Sequence, residues 1–357
     1  MDPYAVDLEH EQVLVRRGER SGLFTMVAVH STARGPSLGG CRMWRYDDAR
    51  AALRDALRLS RAMTYKSAVA GLPLGGGKGV IMLRPDTDLT PKLRRAALED
   101  FGDTVDALGG AYLTAEDVGT SARAMEVIAA RTPYVTGRGA KHGGSGDPSP
   151  FTALGVEAAI LAAVERSFGD PSLKGRSVAV VGLGNVGLRV AKLLTRRGAK
   201  VLANDIDPAR KADAAKLGAR WVSAPKALAA AVDVYCPCAL GGILDAETVP
   251  LIQAPIVAGA ANNQLASDAV AELLRRRGIL WAPDFVANAG GVINIAGERA
   301  RGGYDKAAAT AAVRGIAGTL ATIFEAAQAE RTTPLATAMA LGERRLMEGR
   351  GQAKGRA

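Results

Sequence analysis

The feature that most restricts the fold is a glycine-rich turn between an apolar run and an amphipathic helix pattern. Residues 177–181 (SVAVV) form an apolar run of the kind that is buried on both faces of a parallel sheet. Gly182, Gly184 and Gly187 follow in GxGxxG spacing, and Val186 begins an apolar helical stripe. A glycine turn between a strand and a helix brings backbone amides close to the pyrophosphate of a dinucleotide. The segment therefore predicts the start of a dinucleotide-binding α/β domain.

The glycines of this turn have separate expected roles. Gly182 permits the tight turn, Gly184 lets the backbone approach the pyrophosphate, and Gly187 lets the helix pack closely on the strand. The helix N-terminus supplies amide donors and a favourable dipole for the phosphates. The sequence thus assigns cofactor binding here to Gly182, Gly184, Asn185, Val186 and Gly187. A glycine-rich turn that binds no nucleotide is the alternative interpretation.

Asp205 favours NAD over NADP as the cofactor. It ends the next apolar run, at 205 − 182 = 23 positions after Gly182. A carboxylate at about 20 positions bonds the ribose hydroxyls and repels a 2′-phosphate. Arg210 and Lys211 follow closely and could serve a phosphate, so NADP remains an alternative. A solvated strand end without a ligand is the simplest competing interpretation of Asp205.

Apolar runs recur after this turn, and helical patterns separate them. The runs lie at 200–203, 233–236, 256–258 and 279–281. Alternation of short buried strands with helices predicts a doubly wound parallel sheet, a Rossmann domain. Before the turn, a strand-like run at 23–30 and helix patterns at 48–62 and 90–108 predict a second α/β domain. Two domains also suit 357 residues, because single cores stop growing at roughly 250–300 residues.

The glycine- and proline-rich stretch 137–150 marks the expected boundary and hinge between the domains. We expect the first domain over 1–140 and the dinucleotide domain over 141–330. A long helix-forming stretch fills 305–329, and a last helix begins at Thr333-Pro334. The basic tail from Gly349 is expected to fray.

Composition excludes several function classes. The chain has 46 Lys and Arg against 36 Asp and Glu, a formal net charge of +10, but only 4% aromatic residues. No helix-turn-helix, zinc-finger or RNP pattern accompanies this charge, so we expect no nucleic-acid partner. Three scattered histidines in no HxxxH or HExxH pattern predict no metal site.

Cysteine and hydropathy patterns indicate where the protein works. Cys41, Cys236 and Cys238 are odd in number and lack CxxC spacing, which favours reduced thiols and a cytoplasmic setting. No uninterrupted apolar run approaches the ~20 residues of a membrane span, so no membrane partner is expected. The acidic start of the chain is the wrong charge for a secretory signal.

Two lysines and an acidic pair are the candidates for catalysis. Lys66 ends an MTYK segment, and Lys78 follows three glycines, which bring backbone close to a ligand. Burial and neighbouring cations can make a lysine a proton acceptor near neutral pH. Glu116 and Asp117 lie where a short strand gives way to a helix start. Taken singly, these residues also suit a surface charge, a loop and a helix cap.

The order of these segments resembles the glutamate/leucine/phenylalanine/valine dehydrogenases, which oxidatively deaminate L-amino acids with NAD(P). The resemblance runs from about Gly35 to Glu298. It is carried by GPSLGGCRMW (35–44), MTYK (63–66), GLPLGGGKGVI (71–81), TAEDVGT (114–120), GLGNVG (182–187), CPCALGG (236–242), GAANNQLA (259–266) and PDFVANAGGVIN (283–294). It implies an N-terminal α/β substrate domain with a mixed sheet, on which 331–357 packs back, and a C-terminal Rossmann domain.

The resemblance also implies a role for each matching residue. Lys66 holds the substrate carboxylate, and Lys78 polarises water and stabilises the developing oxyanion. Asp117, rather than Glu116, exchanges protons with the substrate amine and water. Asn262 fixes both the carboxylate and the nicotinamide. Gly39 and Gly40 line the substrate pocket through their backbone, and Ala261 and Asn288 join the cofactor residues.

The side-chain pocket implied by the resemblance is aliphatic. Leu38 stands where glutamate-specific relatives place a lysine, and an unpaired γ-carboxylate against it would cost several kcal/mol. Together, Leu38, Ala115, Val292 and Ile295 match the branched-chain subgroup. Discrimination by a methylene or two is worth only about 1–3 kcal/mol, so leucine, valine and isoleucine are all candidates. Phenylalanine is the alternative. Cys41 and 296–298 depart from the family pattern near this pocket.

Two further expectations complete the sequence analysis. The family implies a homo-oligomer, commonly a dimer or octamer, formed through the first domain. A non-catalytic sensor of NAD or an amino acid is the competing function. It is disfavoured because the chain keeps Lys66, Lys78, Asp117 and Asn262 together. The expected partners are otherwise small molecules: an L-amino acid, its 2-oxo acid and ammonia.

Overall fold

The structure, a computed structural model, describes residues 9–354, with side chains through residue 351. These residues form two compact units. The first unit comprises residues 9–147, 298–304 and 342–354, and the second comprises Pro148–Gly297 and Asp305–Leu341.

The first unit is built on a five-stranded mixed sheet, as the sequence predicts. Its strands are β1 (Gln12–Arg17), β2 (Phe24–Ser31), β3 (Ser37–Arg45), β4 (Gly75–Leu83) and β5 (Tyr112–Glu116). They lie in the order β1-β2-β4-β3-β5. The pairs β1/β2 and β2/β4 are antiparallel, whereas β3 is parallel to both β4 and β5. The carboxyl ends of β3 and β5 therefore lie at the same edge, where side chains that follow them can meet.

Helices cover this sheet, and their starts follow capping chemistry. They are α1 (Ala49–Val69), α2 (Pro91–Asp106) and α3 (Ala122–Ala129). The Asp48 side chain caps α1 by accepting from Ala51 N–H, and Thr90 caps α2 with proline at the first helical position. Between α2, α3 and the sheet lies an apolar core that includes Ile81, Phe101 and Met125.

The second unit contains the predicted doubly wound parallel sheet. Its strands are β6 (Ser177–Val181), β7 (Lys200–Asn204), β8 (Arg220–Trp221), β9 (Val234–Pro237), β10 (Ile256–Val257) and β11 (Leu280–Trp281). All neighbours are parallel, in the order β11-β10-β9-β6-β7-β8. Strand order reverses at β6, so the turn after β6 lies at the switch point where doubly wound sheets bind ligands.

The helices of the second unit pack on both faces of its sheet or on one another. They are α4 (Ser149–Phe168), α5 (Gly187–Arg196), α6 (Arg210–Lys216), α7 (Ala224–Leu228), α8 (Ala269–Arg276), α9 (Asp284–Ala287), α10 (Gly290–Ala296), α11 (Lys306–Arg314) and α12 (Ile316–Ala329). Helix α4 is the central one, and α5, α10, α11 and α12 all contact it.

Three local expectations differ from the structure. The stretch 305–329 forms two helices instead of one, because the helix is interrupted at Gly315. The last helix, α13 (Pro334–Lys354), continues past Gly349 instead of fraying there. Residues 37–45, for which the sequence predicted no element, form β3, and β1 was not predicted either.

One described stretch, Lys306–Ala329, is long and apolar enough to cross a membrane by length and composition alone. Core helices meet the same criterion, and here Val313, Leu320 and Phe324 are buried inside the second unit. Helices α11 and α12 both contact α4 of this unit.

Candidate active site

The first group of predicted site residues gathers where β3, β4 and β5 lie side by side. A Cβ on Gly39 would stand 1.7 Å from the carbonyl oxygen of Gly77, and one on Gly40 would stand 2.6 Å from Cβ of Asp117. No side chain fits at either position. The two glycines of β3 therefore let the loop after β5 lie directly over the sheet, which brings Asp117 to β3 and β4.

Lys78 and Asp117 form an ion pair at this place. Lys78 extends from β4 and is only 6% exposed, and its ammonium contacts Oδ2 of Asp117. The Asp117 turn is held by Thr120, whose hydroxyl accepts from Asp117 N–H at 2.9 Å and donates to the Cys41 carbonyl at 2.8 Å. The pair is thus fixed by the sheet before any substrate arrives.

The electrostatics separate Asp117 from its neighbour Glu116. Burial alone would raise the pKa of the Asp117 carboxyl, but the Lys78 ammonium and the Arg42 guanidinium outweigh it and hold that pKa below its usual range. For Glu116, burial and the nearby Asp147 carboxylate raise the pKa. The ionised carboxylate in contact with a buried lysine is therefore Asp117, the position to which the sequence assigned proton transfer.

The remaining predicted residues of the first unit lie on α1, β3 and β5. A Cβ on Gly76 would stand 2.0 Å from the backbone nitrogen of Thr64, so the end of α1 lies on β4. Lys66 is in the last turn of that helix and is partly buried. Leu38 and Ala115, on β3 and β5, are buried and uncharged.

The glycine turn after β6 has the shape that its spacing predicts. Gly182 has φ +96°, and its missing Cβ makes room for Ala239 at 2.7 Å. A Cβ on Gly187 would stand 1.8 Å from the Gly182 carbonyl oxygen. By contrast, no described atom lies within 4 Å of a Cβ built on Gly184. That space at the start of α5 is left open by the described part of the chain. Asn185 and Val186 complete the turn.

Asp205 contacts this turn directly. Its Oδ2 accepts from Leu183 N–H at 2.5 Å, and its Oδ1 accepts from Asp207 N–H at 2.8 Å. The carboxylate therefore anchors the glycine turn, a role that the sequence did not suggest. Arg210, the alternative phosphate ligand, forms ion pairs with Asp207 and Asp213.

A second group in this unit collects on the loop after β10 and the helices that follow. Asn288 Nδ2 donates to Asn262 Oδ1 at 2.8 Å and to the Ala260 carbonyl at 3.1 Å. Oδ1 of Asn288 is buried and has no hydrogen-bond partner among the described residues. The structure thus brings the predicted residues Asn262 and Asn288 into contact. Val292 and Ile295 lie nearby in sequence on α10, the first partly exposed and the second buried.

Ala261, the third predicted residue of this group, ties the loop after β10 to the end of β9. Its N–H donates to the Pro237 carbonyl, with 3.0 Å between nitrogen and oxygen. The neighbouring Gly241 has no room for a Cβ, which would stand 2.4 Å from the Asn262 carbonyl oxygen. Both loops follow strands at the carboxyl edge of the parallel sheet. Asn262 is therefore held from two sides, through its side chain by Asn288 and through its backbone by the close approach of Gly241.

The two departures from the family pattern have structural explanations. Cys41 is fully buried in the apolar core of the first unit, and burial raises the pKa of its thiol. Glu298 accepts from the backbone N–H groups of Gly137 and Ser145, so it ties down the glycine-rich stretch. All three cysteines are free.

Three residues of the site were missed at the sequence level. Arg42 Nε donates to Asp117 Oδ2 at 3.2 Å, and its other end reaches Asp55, which also accepts from the Tyr46 hydroxyl. The signal available was Arg42 itself, which lies in the GPSLGGCRMW motif next to the two pocket glycines. An arginine there needs a carboxylate partner, but the sequence does not say which one.

Comparison with protein families matches both parts of the chain. Residues 10–134 match the family described as Glu/Leu/Phe/Val dehydrogenase, dimerisation domain. Residues 143–206 and 209–350 match the family described as Glutamate/Leucine/Phenylalanine/Valine dehydrogenase.

Individual relatives cover nearly the whole chain. A leucine dehydrogenase of Bacillus subtilis (strain 168) is 42% identical over 344 residues, 96% of this chain and 93% of that protein. A valine dehydrogenase of Streptomyces albus is 42% identical over 351 residues, 96% of this chain and 93% of that protein. The crystal structure of L-tryptophan dehydrogenase from Nostoc punctiforme matches with a TM-score of 0.82 and 39% identity, covering 96% of this chain and 97% of the other.

Proposed function

Because the chain belongs to the Glu/Leu/Phe/Val dehydrogenase family and is an amino-acid dehydrogenase, we propose that it oxidatively deaminates a branched-chain aliphatic L-amino acid with NAD. The substrate is leucine, valine or isoleucine, and the products are the 2-oxo acid, ammonia and NADH. The observation that carries the proposal is the buried Lys78–Asp117 ion pair. A buried cation beside an ionised carboxylate is the set that proton transfer at an amine needs.

Three residues of the first unit, Lys66, Lys78 and Asp117, have distinct tasks in this reaction. Lys66 holds the substrate carboxylate with its ammonium. Asp117 takes a proton from the substrate ammonium, which frees the amine lone pair. Once the hydride has left Cα, Lys78 orients water for attack on the iminium carbon and stabilises the oxygen of the carbinolamine as charge develops. Asp117 gives its proton to the nitrogen and takes the proton that the attacking water loses. The C–N bond then breaks, ammonia leaves with the proton of the carbinolamine hydroxyl, and Asp117 releases its remaining proton to solvent.

The second unit fits a nicotinamide dinucleotide. When bound, such a cofactor accepts the hydride from Cα of the amino acid. The space beside Gly184 and the amides at the start of α5 suit a pyrophosphate. Asn262, oriented by Asn288, suits a carboxylate, and the buried Oδ1 of Asn288, which has no partner among the described residues, suits an amide group.

Two observations support NAD over NADP. Asp205 lies at the turn with its carboxylate fixed by two backbone N–H groups, and a second negative charge from a 2′-phosphate would be repelled there. Arg210 already pairs with Asp207 and Asp213, so its guanidinium is less available to bind a 2′-phosphate than its position in the sequence suggests.

The substrate class rests on the uncharged pocket residues. Leu38 and Ala115 are buried beside Gly39 and Gly40. The side-chain carboxylate of a glutamate substrate would therefore have no charged partner at Leu38. Relatives include leucine and valine dehydrogenases. The similarity to an L-tryptophan dehydrogenase favours an aromatic amino acid, phenylalanine or tryptophan, as the second candidate.

We also propose a homo-oligomer, a dimer or octamer, formed through the first unit. The match of residues 10–134 to a family described as a dimerisation domain supports this assembly. The three free cysteines suit a reducing cytoplasm.

The test is formation of NADH from a panel of L-amino acids, with NADP run in parallel. We expect turnover with leucine, valine and isoleucine and little with glutamate. Lys78→Ala should lower kcat by about 10³-fold or more, because it removes the group that stabilises the oxyanion. Lys92→Ala, at an exposed lysine of the same unit, is the matched control and should leave kcat unchanged.

Two results would contradict the proposal in different ways. Near-normal turnover by Lys78→Ala would refute the assigned mechanism. Binding of NADH by a wild-type protein that turns over no amino acid would instead establish the sensor.

A further inference from the structure

A chain of charged and polar groups extends from Asp117 away from Lys78. Arg42 bridges two carboxylates: its Nε donates to Asp117 Oδ2 at 3.2 Å, and its Nη1 donates to Asp55 Oδ2 at 2.8 Å. Asp55, on α1, also accepts from the Tyr46 hydroxyl at 2.7 Å and from Arg58 at 2.9 Å. Arg42 is therefore held at both ends of its guanidinium.

Lys78 and Arg42 contact the same oxygen of Asp117. The two cations differ, because a lysine can release its proton whereas an arginine stays charged at every working pH. With Lys78 alone, loss of that proton would leave a partly buried carboxylate without a counter-charge. With Arg42 in place, Asp117 keeps a positive partner in either protonation state of Lys78.

The polar chain is shielded enough for these charges to matter. The side chains of Arg42, Asp55 and Asp117 are 22%, 16% and 24% exposed. Surface pairs are worth little because water and salt screen them, but groups this far buried are screened less. Burial opposes ionisation of Asp55, yet the hydrogen bond from Tyr46 and the charge of Arg42 hold its pKa below the usual range.

We propose that Arg42, held in place by Asp55 and Tyr46, is a positioning residue that aligns Asp117 and favours its ionised form before it takes a proton from the substrate ammonium. Arg42 acts through Asp117 and has no contact with the reacting atoms in this scheme. The inference rests on the proposed function, in which Asp117 is the acid and base.

The sign of the expected pH effect follows from charge alone. The acid limb of a plot of kcat/KM against pH reports a group that must lose a proton, which is Asp117 in the proposed reaction. Removing a nearby positive charge moves that limb to higher pH. Removing a negative charge moves it to lower pH. Among the described residues, the charged or titratable groups around the pair include Cys41, Arg42, Tyr46, Asp55, Arg58, Arg94, Tyr112 and Glu116.

The first test substitutes the bridge itself. Arg42→Gln should move the acid limb up by about one pH unit, so that kcat/KM one unit below the wild-type limb falls about tenfold further than on the plateau. Arg42→Lys keeps the charge but loses the second hydrogen bond, and it should restore the limb while recovering only part of kcat.

Asp55→Asn should move the acid limb in the opposite direction to Arg42→Gln. It removes a negative charge while Arg42 remains, so the acid limb should move to lower pH although kcat falls. Tyr46→Phe removes one hydrogen bond to Asp55 and should have the same direction and a smaller effect. A merely structural disturbance would lower kcat in all of these variants and leave every limb in place.

Asp117→Asn separates failure of this inference from failure of the proposed function. If Asp117→Asn keeps near-normal turnover, the acid and base role itself is wrong. If Asp117→Asn is inactive but Arg42→Gln keeps the wild-type limb, only the role of Arg42 is overturned. Equal thermal midpoints and equal NADH affinity across the variants show that the fold is intact. If Arg42→Gln fails to fold, Asp55→Asn and Arg42→Lys still test the inference. An acid limb that moves to higher pH in Asp55→Asn would contradict it.

Discussion

The two units use glycine for opposite reasons. In the first unit, the glycines of β3 and β4 are surrounded by the protein itself. A Cβ on Gly75 would stand 1.8 Å from the Ser31 carbonyl oxygen, and one on Gly39 would stand 1.7 Å from that of Gly77. In the second unit, Gly184 has no described atom within 4 Å of the same position. The first set lets the chain pack on itself, whereas Gly184 leaves space that a ligand can fill.

This difference shows what a glycine motif means in each place. Both motifs look alike in sequence, GLPLGGGKG and GLGNVG, and both were interpreted as backbone approaching a ligand. In β4 the backbone approaches α1 and β3, and the benefit to the site is indirect: it brings Lys78 and Asp117 together. Substitutions should therefore damage stability in one unit and ligand affinity in the other.

The largest effect is expected for Gly39→Ala. The added methyl overlaps a backbone carbonyl of β4 that cannot move without separating two paired strands. We expect a loss of about 3 kcal/mol or more in the free energy of unfolding, beyond the usual range for overpacking. Urea unfolding measures it, and dinucleotide binding by the second unit should survive if that unit stays folded. An unchanged urea midpoint would show that β3 and β4 do not approach this closely.

How far the sequence alone predicted the fold can be explained from the same residues. The run Ser177–Val181 is a strand in the structure at the predicted bounds, because five consecutive apolar or small residues allow little else. Strand β3 was not predicted, because glycine is depleted in strands and Gly39 and Gly40 carry no pattern of alternation. Tertiary packing alone makes that segment a strand.

The site was predictable in residue types and less so in connections. Lys78 and Asp117 were assigned from motifs, but their contact depends on Gly40, which the sequence interpreted as pocket lining. The bond from Leu183 N–H to Asp205 joins residues 22 positions apart, and the bridge from Arg42 to Asp55 joins a strand to a helix. Such pairings follow from three-dimensional packing and leave no mark in local spacing.

The second prediction concerns the open space beside Gly184. Gly184→Val should leave the urea midpoint close to that of the wild type, because no described protein atom lies within 4 Å of the Cβ position. It should weaken NADH binding by tenfold or more, roughly 1.4 kcal/mol, because the side chain occupies the place of a phosphate. Fluorescence titration with NADH measures the affinity.

Gly318→Ala is the matched control for this substitution. Gly318 also has no described atom within 4 Å of its Cβ position, but it lies inside α12 and away from the glycine turn. It should raise stability slightly, by up to about 1 kcal/mol, and leave NADH affinity unchanged. Equal losses of affinity in both variants would contradict a specific role for Gly184.

The third prediction separates the two roles of Asp205. Asp205→Asn keeps an oxygen that can accept from Leu183 N–H but removes the charge, so the preference for NAD over NADP should fall about tenfold. Asp205→Ala also removes the hydrogen bond that holds the turn, and it should further weaken the binding of both NAD and NADP. Ratios of kcat/KM with NAD and NADP measure the first effect, and NADH affinity measures the second. A ratio that stays at the wild-type value in Asp205→Asn would remove Asp205 from cofactor selection.

The smallest expected effect concerns acid, and it again separates the units. All three histidines lie in the first unit, and two of them, His10 and His30, stack edge to face with ring centroids 4.9 Å apart. Burial first, and then the neighbouring His10 and Arg61, lower the pKa of His30 from 6.5 to about 4. His30 thus binds a proton near pH 6.5 in the unfolded chain but only near pH 4 in the folded protein. Stability from this residue is present above pH 6.5 and is lost as the pH falls from 6.5 to 4.

The loss should be modest, about 1 kcal/mol between pH 7 and pH 5, because His30 is only partly buried and water screens part of the shift. His30→Gln cannot titrate but retains an amide that can bond the Thr64 hydroxyl, which His30 Nδ1 contacts at 2.9 Å. Urea midpoints at pH 7 and pH 5 should therefore differ less in His30→Gln than in the wild type. Burial opposes ionisation of Asp117 and Asp100, but nearby cations and hydrogen bonds hold the pKa values of these two carboxyls below the usual range, so neither titrates in this window. An equal pH dependence in both proteins would mean that His30 is solvated as freely in the folded state as in the unfolded chain.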